Sequence, residues 1–373
     1  MKLLVNISRV LVGALFIFSG LVKAIDPLGL TYKMEEFFEV WAGEGYLPSL
    51  MNILHKNAFG FSIFMITLEV ALGVALLLGW AKKITLGLLL LLMLFFTFLT
   101  SYVLFSGKIR TCGCFGDCIP LTPIQTFTKD IILLVLIIIL LLGSKYILPL
   151  FKRKINGILV IFSILATLVL QRHVLRHLPV VDCLPYKKGN NILELRKMPA
   201  DAIPDKFAYS FIYEKEGVKK DFTADKLPDS TWKFVDRKQT LVEKGKNNIP
   251  KINDFSLGGA DGSDSTEIIL SQPSYYLFFL KELNKTEPEW LYHFKKLAQR
   301  AKEQGKPLYI VTSNTQAAHE FFNKFHMLNI PVYTTDVTAI KTAARVDPTL
   351  YDMKGPVVQG KYAWADLDRY LNY

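Results

Sequence analysis

Thr111-Cys112-Gly113-Cys114-Phe115-Gly116-Asp117-Cys118 carries three of the chain's four cysteines and sits between two long apolar runs. A hydrocarbon core is crossed by about 20 predominantly apolar helical residues. Five stretches reach or approach that length: Leu3–Ile25, Phe59–Trp80, Ile84–Phe105, Phe127–Leu150 and Ile155–Leu170, the last being the shortest. The cysteine loop joins the third to the fourth. The residues from Arg172 onward are of ordinary polar composition and predict a water-exposed part.

The first span is longer than the 7–15-residue core of a secretory signal and lacks a small-x-small cleavage pattern, so it reads as a retained helix. Lys2 and Arg9, Lys82 and Lys83, and Lys152, Arg153 and Lys154 fall on alternate sides of successive spans. Basic loops stay cytoplasmic, which puts the N-terminus inside. The 26–58 loop, the cysteine loop, all four cysteines and the C-terminal part are then extracytoplasmic, in a bacterial envelope facing the periplasm.

The net charge of +11 is no nucleic-acid footprint. Before His173, 15 basic against 8 acidic residues give +7; the remaining 29 against 25 give +4. A nucleic-acid role needs a concentrated basic face, and only short patches are present.

Within the spans, Phe18-Ser19-Gly20-Leu21-Val22-Lys23-Ala24-Ile25-Asp26-Pro27 has small residues for close helix packing and a helix break at its end. Lys23 is expected to snorkel to the interface, with an acidic partner as the alternative. Glu69 must face the bundle interior, because a bare carboxylate in lipid is costly. It is either a protonated carboxyl bonded to a neighbouring helix, or a proton acceptor or cofactor contact beneath the thiols with Lys23 as partner. A small-molecule transporter would want several such groups, and Glu69 stands nearly alone. Between spans one and two, Met34, Phe37, Phe38, Val40 and Trp41 alternate with Glu35, Glu36 and Glu39, an amphipathic pattern expected to lie along the outer interface.

Beyond the fifth span, Phe207–Tyr213 and Trp232–Val235 alternate apolar and polar around a Glu216-Gly217 turn, which predicts β-hairpins. A strand Tyr275–Leu280, a helix Glu287–Gln304, a strand Leu308–Thr312, a helix Gln316–Leu328 and a strand Val332–Thr334 follow, with a closing segment Asp347–Tyr373. Alternating strands and helices imply an α/β layer.

Four extracytoplasmic cysteines allow three pairings and two structural disulfides. A bond between Cys112 and Cys114 would close a very small ring, a geometry that makes a disulfide easier to reduce. Lys108 and Arg110 are adjacent, and Arg172, His173, Arg176 and His177 are placed to approach; positive charge raises the thiolate fraction. Cys118 or Cys183 then serves as resolving or structural partner. A zinc site lacks the paired ligand spacing.

The membrane half resembles the MauE/DoxX family of redox-associated bacterial membrane proteins, on Phe18-Ser19-Gly20, Lys23, Asp26-Pro27, Glu69 and Cys112-Gly113-Cys114-Phe115-Gly116. The resemblance covers Met1–Leu150 and implies a four-helix membrane bundle linked to thiol redox chemistry; the fifth span and the C-terminal part depart from it. From about Ile249 the chain looks like a thioredoxin or peroxiredoxin fold, on Asp254-Phe255-Ser256-Leu257, Asp261-Gly262 and the cis-proline-like Val346-Asp347-Pro348-Thr349-Leu350. Where that family has Cys-x-x-Cys, this chain reads Lys281-Glu282-Leu283-Asn284-Lys285-Thr286-Glu287-Pro288, without sulfur, which leaves docking or substrate presentation.

The expected organisation is a four-helix membrane domain (1–150, cysteine loop 106–126), a fifth helix (151–172), a β-rich region (173–249) and a thioredoxin-like domain (250–373). The expected function is a membrane-bound thiol–disulfide oxidoreductase or relay acting on extracytoplasmic proteins, with Cys112 and Cys114 exchanging and Cys118 and Cys183 in support. A quinone near Glu69 enters by analogy with other four-helix disulfide enzymes. The alternative is a non-enzymatic scaffold whose outer domain docks partner proteins.

Overall fold

In a computed structural model that describes residues 1–109, 113, 115–243, 245–283 and 289–372, the chain is a multi-pass membrane protein. Seven helices come first: α1 (Lys2–Ala24), α2 (Pro27–Gly43), α3 (Pro48–Lys56), α4 (Ala58–Leu78), α5 (Lys82–Ser106), α6 (Pro123–Leu142) and α7 (Arg153–His177). Of these, α1, α4, α5, α6 and α7 are long and apolar enough to span. Helices α1, α4, α5 and α6 pack around one core, and α7 lies against α4.

Small residues set the α1–α4 approach. A Cβ at Gly73 would stand 2.9 Å from the Gly13 carbonyl and 2.8 Å from Ile17. Gly73→Val would force these backbones apart, and overpacking typically costs about 1–3 kcal/mol. A fall in the detergent melting temperature, reversed by no change in lipid, is the expected result.

The fourth span ends earlier than its apolar run suggests. Helix α6 starts at a capping box in which Thr122 accepts from the Gln125 amide and Gln125 caps back, with Pro123 in the first turn. It stops at Leu142. Ile147 then turns under the bundle, Lys82 donates to the Ser144 carbonyl, and the Leu150 amide donates to Leu78. Pro149 cannot continue a helix, so this segment closes the bundle's base. The fifth span, expected to be shortest, runs 25 residues, because its polar last turns leave the apolar zone and reach the outer part.

Outside the spans, α8 (Ile192–Arg196) precedes an antiparallel sheet of β1 (Lys206–Lys215), β2 (Val218–Thr223) and β3 (Lys233–Glu243), ordered β2-β1-β3. Glu216 and Gly217, both at positive φ, form the tight turn. Next come α9 (Thr266–Leu270), β4 (Tyr275–Leu280), α10 (Trp290–Glu303), β5 (Leu308–Thr312), α11 (Thr315–His319) continued by a wider turn over Glu320–Phe325, β6 (Val332–Thr334), α12 (Val337–Ala343), β7 (Thr349–Lys354), β8 (Val357–Ala363) and α13 (Leu367–Leu371).

These strands form a mixed sheet ordered β6-β5-β4-β7-β8, in which β4, β5 and β6 are parallel and β7 and β8 antiparallel. Strand β4 is buried on both faces, which explains its unbroken apolar sequence. Tyr275, Leu277 and Phe279 enter a core with Phe255, Leu257 and Ile340; Tyr276, Phe278 and Leu280 enter another with Trp290, Phe294 and Phe322. A membrane bundle therefore carries an outer three-layer α/β unit, and the Asp347–Pro348 bond before β7 is cis.

Candidate functional site

The cysteine loop is seated where the bundle meets the outer sheet. Cys112, Cys114 and Arg110 lie outside the described residues. Gly113 and Gly116 have positive φ, and the Gly116 amide donates to the Gly113 carbonyl at 3.0 Å, giving a tight turn. Phe115 faces inward, its ring 6.0 Å from that of Phe18, with the Lys129 ammonium over it at 4.8 Å. Cys118 is bonded to Cys183, which follows α7.

Helix α2 lies beneath the loop rather than only along the interface. Its apolar face, Met34, Phe37, Phe38 and Trp41, is buried in the bundle core against Phe61, Phe98 and Tyr102. Its polar face looks outward. A Cβ at Gly113 would come within 3.2 Å of the Lys33 side chain, and the adjoining loop end is pinned by an ion pair between Lys108 and Glu44. Amphipathic spacing identified the helix; only long-range packing shows that it caps the loop.

The outer sheet docks on the same place through the segment around Asp347–Pro348. Arg345, 6% exposed, donates from Nε to Asp26 at 2.9 Å and from Nη2 to Asp117 at 2.7 Å. Burial works against its charge, but the two aspartates outweigh it and hold the guanidinium pKa above its ordinary value. Lys341 pairs with Glu35 at 2.8 Å, and Lys281 donates to the Tyr32 hydroxyl at 2.9 Å. Asp347 accepts from the amides of Lys281 and Glu282; burial nevertheless raises its carboxyl pKa. Lys281 and Glu282 open the sulfur-free stretch that follows β4, whose Asn284–Pro288 portion lies outside the described residues. Clefts of about 620 and 650 Å³ flank the Tyr32–Lys341 contact, and Cys183 lines the first.

Lys23 does not snorkel. Its ammonium, 2% exposed, is 2.6 Å from Glu69, 3.1 Å from the Ser19 hydroxyl and 4.7 Å from the Phe96 ring centroid. Glu69 is not isolated either. Asp130 on α6, fully buried, accepts from Thr100 at 3.0 Å and lies 2.7 Å from the Lys129 ammonium. Lys129 and Asp130 open an apolar run and so carry no signal of this role in the sequence. All four side chains line one small void with Phe115 at its wall. Its volume, about 20 Å³, suits one water and is far below a drug-sized ligand site of about 300 Å³ or more. The residues at Glu69 therefore do not fit a quinone ring, and no electron carrier is placed there.

The basic residues at the end of α7 go elsewhere than expected. His177 pairs with Asp366 at 2.9 Å and stacks on His173, while Arg176 covers Trp364 and approaches Glu289 at 3.6 Å. They dock the outer sheet. Among the described residues, the cations beside the loop include Lys33, Lys108, Lys129 and Arg345.

Comparison with known proteins follows this division. Residues 1–143 match the family of methylamine utilisation protein MauE, a match that takes in α1 to α6 and the cysteine loop and stops before α7. Residues 207–244, which cover most of the three-stranded sheet, match a domain of unknown function, DUF8463. Protein TlpB of Flavobacterium psychrophilum is 30% identical over 167 residues, 43% of this chain and 41% of that protein, so the chain spans about two fifths of that relative's length. No solved structure matches.

Proposed function

We propose that this chain is a membrane-bound thiol–disulfide exchange protein, with Cys112 and Cys114 as the exchanging pair and Cys118–Cys183 as a structural tie. The observation that carries the reading is the Cys118–Cys183 bond, which leaves Cys112 and Cys114 as the remaining two of four cysteines. They are one glycine apart, and a disulfide across so small a ring is readily reduced. Exchange proceeds by attack of one thiolate on a client disulfide sulfur, expelling the client's other thiolate; the second thiolate then attacks the mixed disulfide, so one disulfide is exchanged for another with no net electrons lost. Lys33, Lys108 and Arg345 flank the loop, each already paired with a carboxylate, so the small ring rather than a cationic field carries the expected reactivity.

Disulfides persist in oxidising compartments, and the basic connections at the α4–α5 and α6–α7 end favour a cytoplasmic location for that end. The loop and outer sheet then face the periplasm of a bacterial inner membrane, where clients are extracytoplasmic proteins. The order β6-β5-β4-β7-β8, with its parallel and antiparallel halves, supports a thioredoxin-like outer domain. With no sulfur after β4, that domain acts by holding proteins.

The test is Cys112→Ser and Cys114→Ser, read by exchange with a disulfide-bonded fluorescent peptide in liposomes. Exchange is expected to fall at least about a hundredfold with abundance and melting temperature unchanged. Retained exchange would favour the scaffold, in which the outer domain merely assembles partners.

A further inference from the structure

Asp26 and Asp117 converge over the first turn of α2. A Cβ at Gly29 would stand 3.2 Å from one carboxylate and 3.5 Å from the other, and the Gly29 amide donates to Asp26. The helix N-terminus favours negative charge there, and Arg345 completes the site from the outer sheet while its Nη1 donates to the Lys341 carbonyl at 2.6 Å. One side chain thus joins the end of the first span, the cysteine loop and the segment before β7. Asp117 adjoins Cys118 and lies three residues from Cys114.

We propose that Arg345 is a positioning residue for the cysteine loop: by gripping Asp117 it fixes the Phe115–Cys118 end of the loop and thereby shifts the Cys112–Cys114 dithiol–disulfide equilibrium toward the disulfide. This rests on the exchange function proposed above. The outer domain's face around Asp347–Pro348 is thereby occupied by its own membrane half. An incoming client must approach through the flanking clefts or displace the grip.

Asp117→Asn in the full chain is the main variant, because Asp117 is 45% exposed and its loss leaves Arg345 paired with Asp26. Arg345→Met and Arg345→Lys complete the set. The first readout is the equilibrium between Cys112–Cys114 disulfide and dithiol. Asp117→Asn is expected to weaken the disulfide about tenfold, a shift of about 30 mV toward easier reduction, with Cys118–Cys183 intact; Arg345→Met should do at least as much and Arg345→Lys less. The second readout is hydrogen exchange of the 113–117 amides, expected to quicken about tenfold. An unchanged equilibrium in a wild-type pair that titrates overturns the positioning role. If the wild-type pair does not titrate, the exchange function fails, and unchanged amide exchange in Asp117→Asn separately overturns the grip.

Discussion

Replacing Lys23 by Met, or Glu69 by Gln, is expected to destabilise the bundle by about 3–5 kcal/mol, and replacing both together by far less than the sum. The two groups are 2.6 Å apart and almost fully buried, among Phe96, Met93 and Phe16. Removing one partner leaves an uncompensated charge in a low-dielectric interior, whereas an apolar or neutral pair of similar shape is often tolerated. A double-mutant cycle on detergent melting measures the difference, and a coupling energy above about 2 kcal/mol is the expected result. Additive single effects would mean that Lys23 and Glu69 stabilise the helices independently, through packing with Ser19 and Phe96.

Cys118→Ser is expected to cost about 2–4 kcal/mol in the attachment of the outer sheet to the bundle. The bond joins positions 65 residues apart, and a loop of that length in a free chain gives the upper part of the range. Helices α6 and α7 lie inside the loop and the bilayer already restrains them, which moves the value downward. Limited proteolysis of the 178–191 connection checks it: cleavage should become much faster in Cys118→Ser, Cys183→Ser and the double variant alike. Three equal rates are expected because either substitution removes the whole bond. Unchanged cleavage would mean that Arg345, Lys341 and Lys361 hold the sheet alone, the last through its 2.8 Å pair with Asp182.

Local pattern made much of the fold legible. The strand Tyr275–Leu280 has the bounds its unbroken apolar run predicts, and Leu308–Thr312 and Val332–Thr334 match as closely. The end of the fourth span is obscured in the sequence because Ile147, Leu148 and Leu150 are apolar yet lie in a turn under the bundle; Pro149 and the Thr122-Pro123-x-Gln125 cap are the signals that mark the helix bounds. The site was less legible, because its partners are distant in the chain. Arg345 meets Asp117 across 228 residues and Asp26 across 319, and nothing in Ala344-Arg345-Val346 marks it. Lys129 and Asp130 looked like the polar edge of a span until folding brought them to Lys23 and Glu69. Arg172 to His177 resemble a cationic field for the thiols in sequence, but the length of α7 carries His177 to Asp366 and Arg176 to Trp364 instead.

The most direct test of the exchange function is quantitative alkylation of the four cysteines in membranes poised across a dithiothreitol series, with each pair identified by peptide mass. Structural disulfides lie below about −300 mV. Exchange through Cys112 and Cys114 requires that the two titrate together well above that value while Cys118 stays joined to Cys183. Resistance of all four cysteines throughout, or a labile pair that includes Cys118 or Cys183, would contradict it.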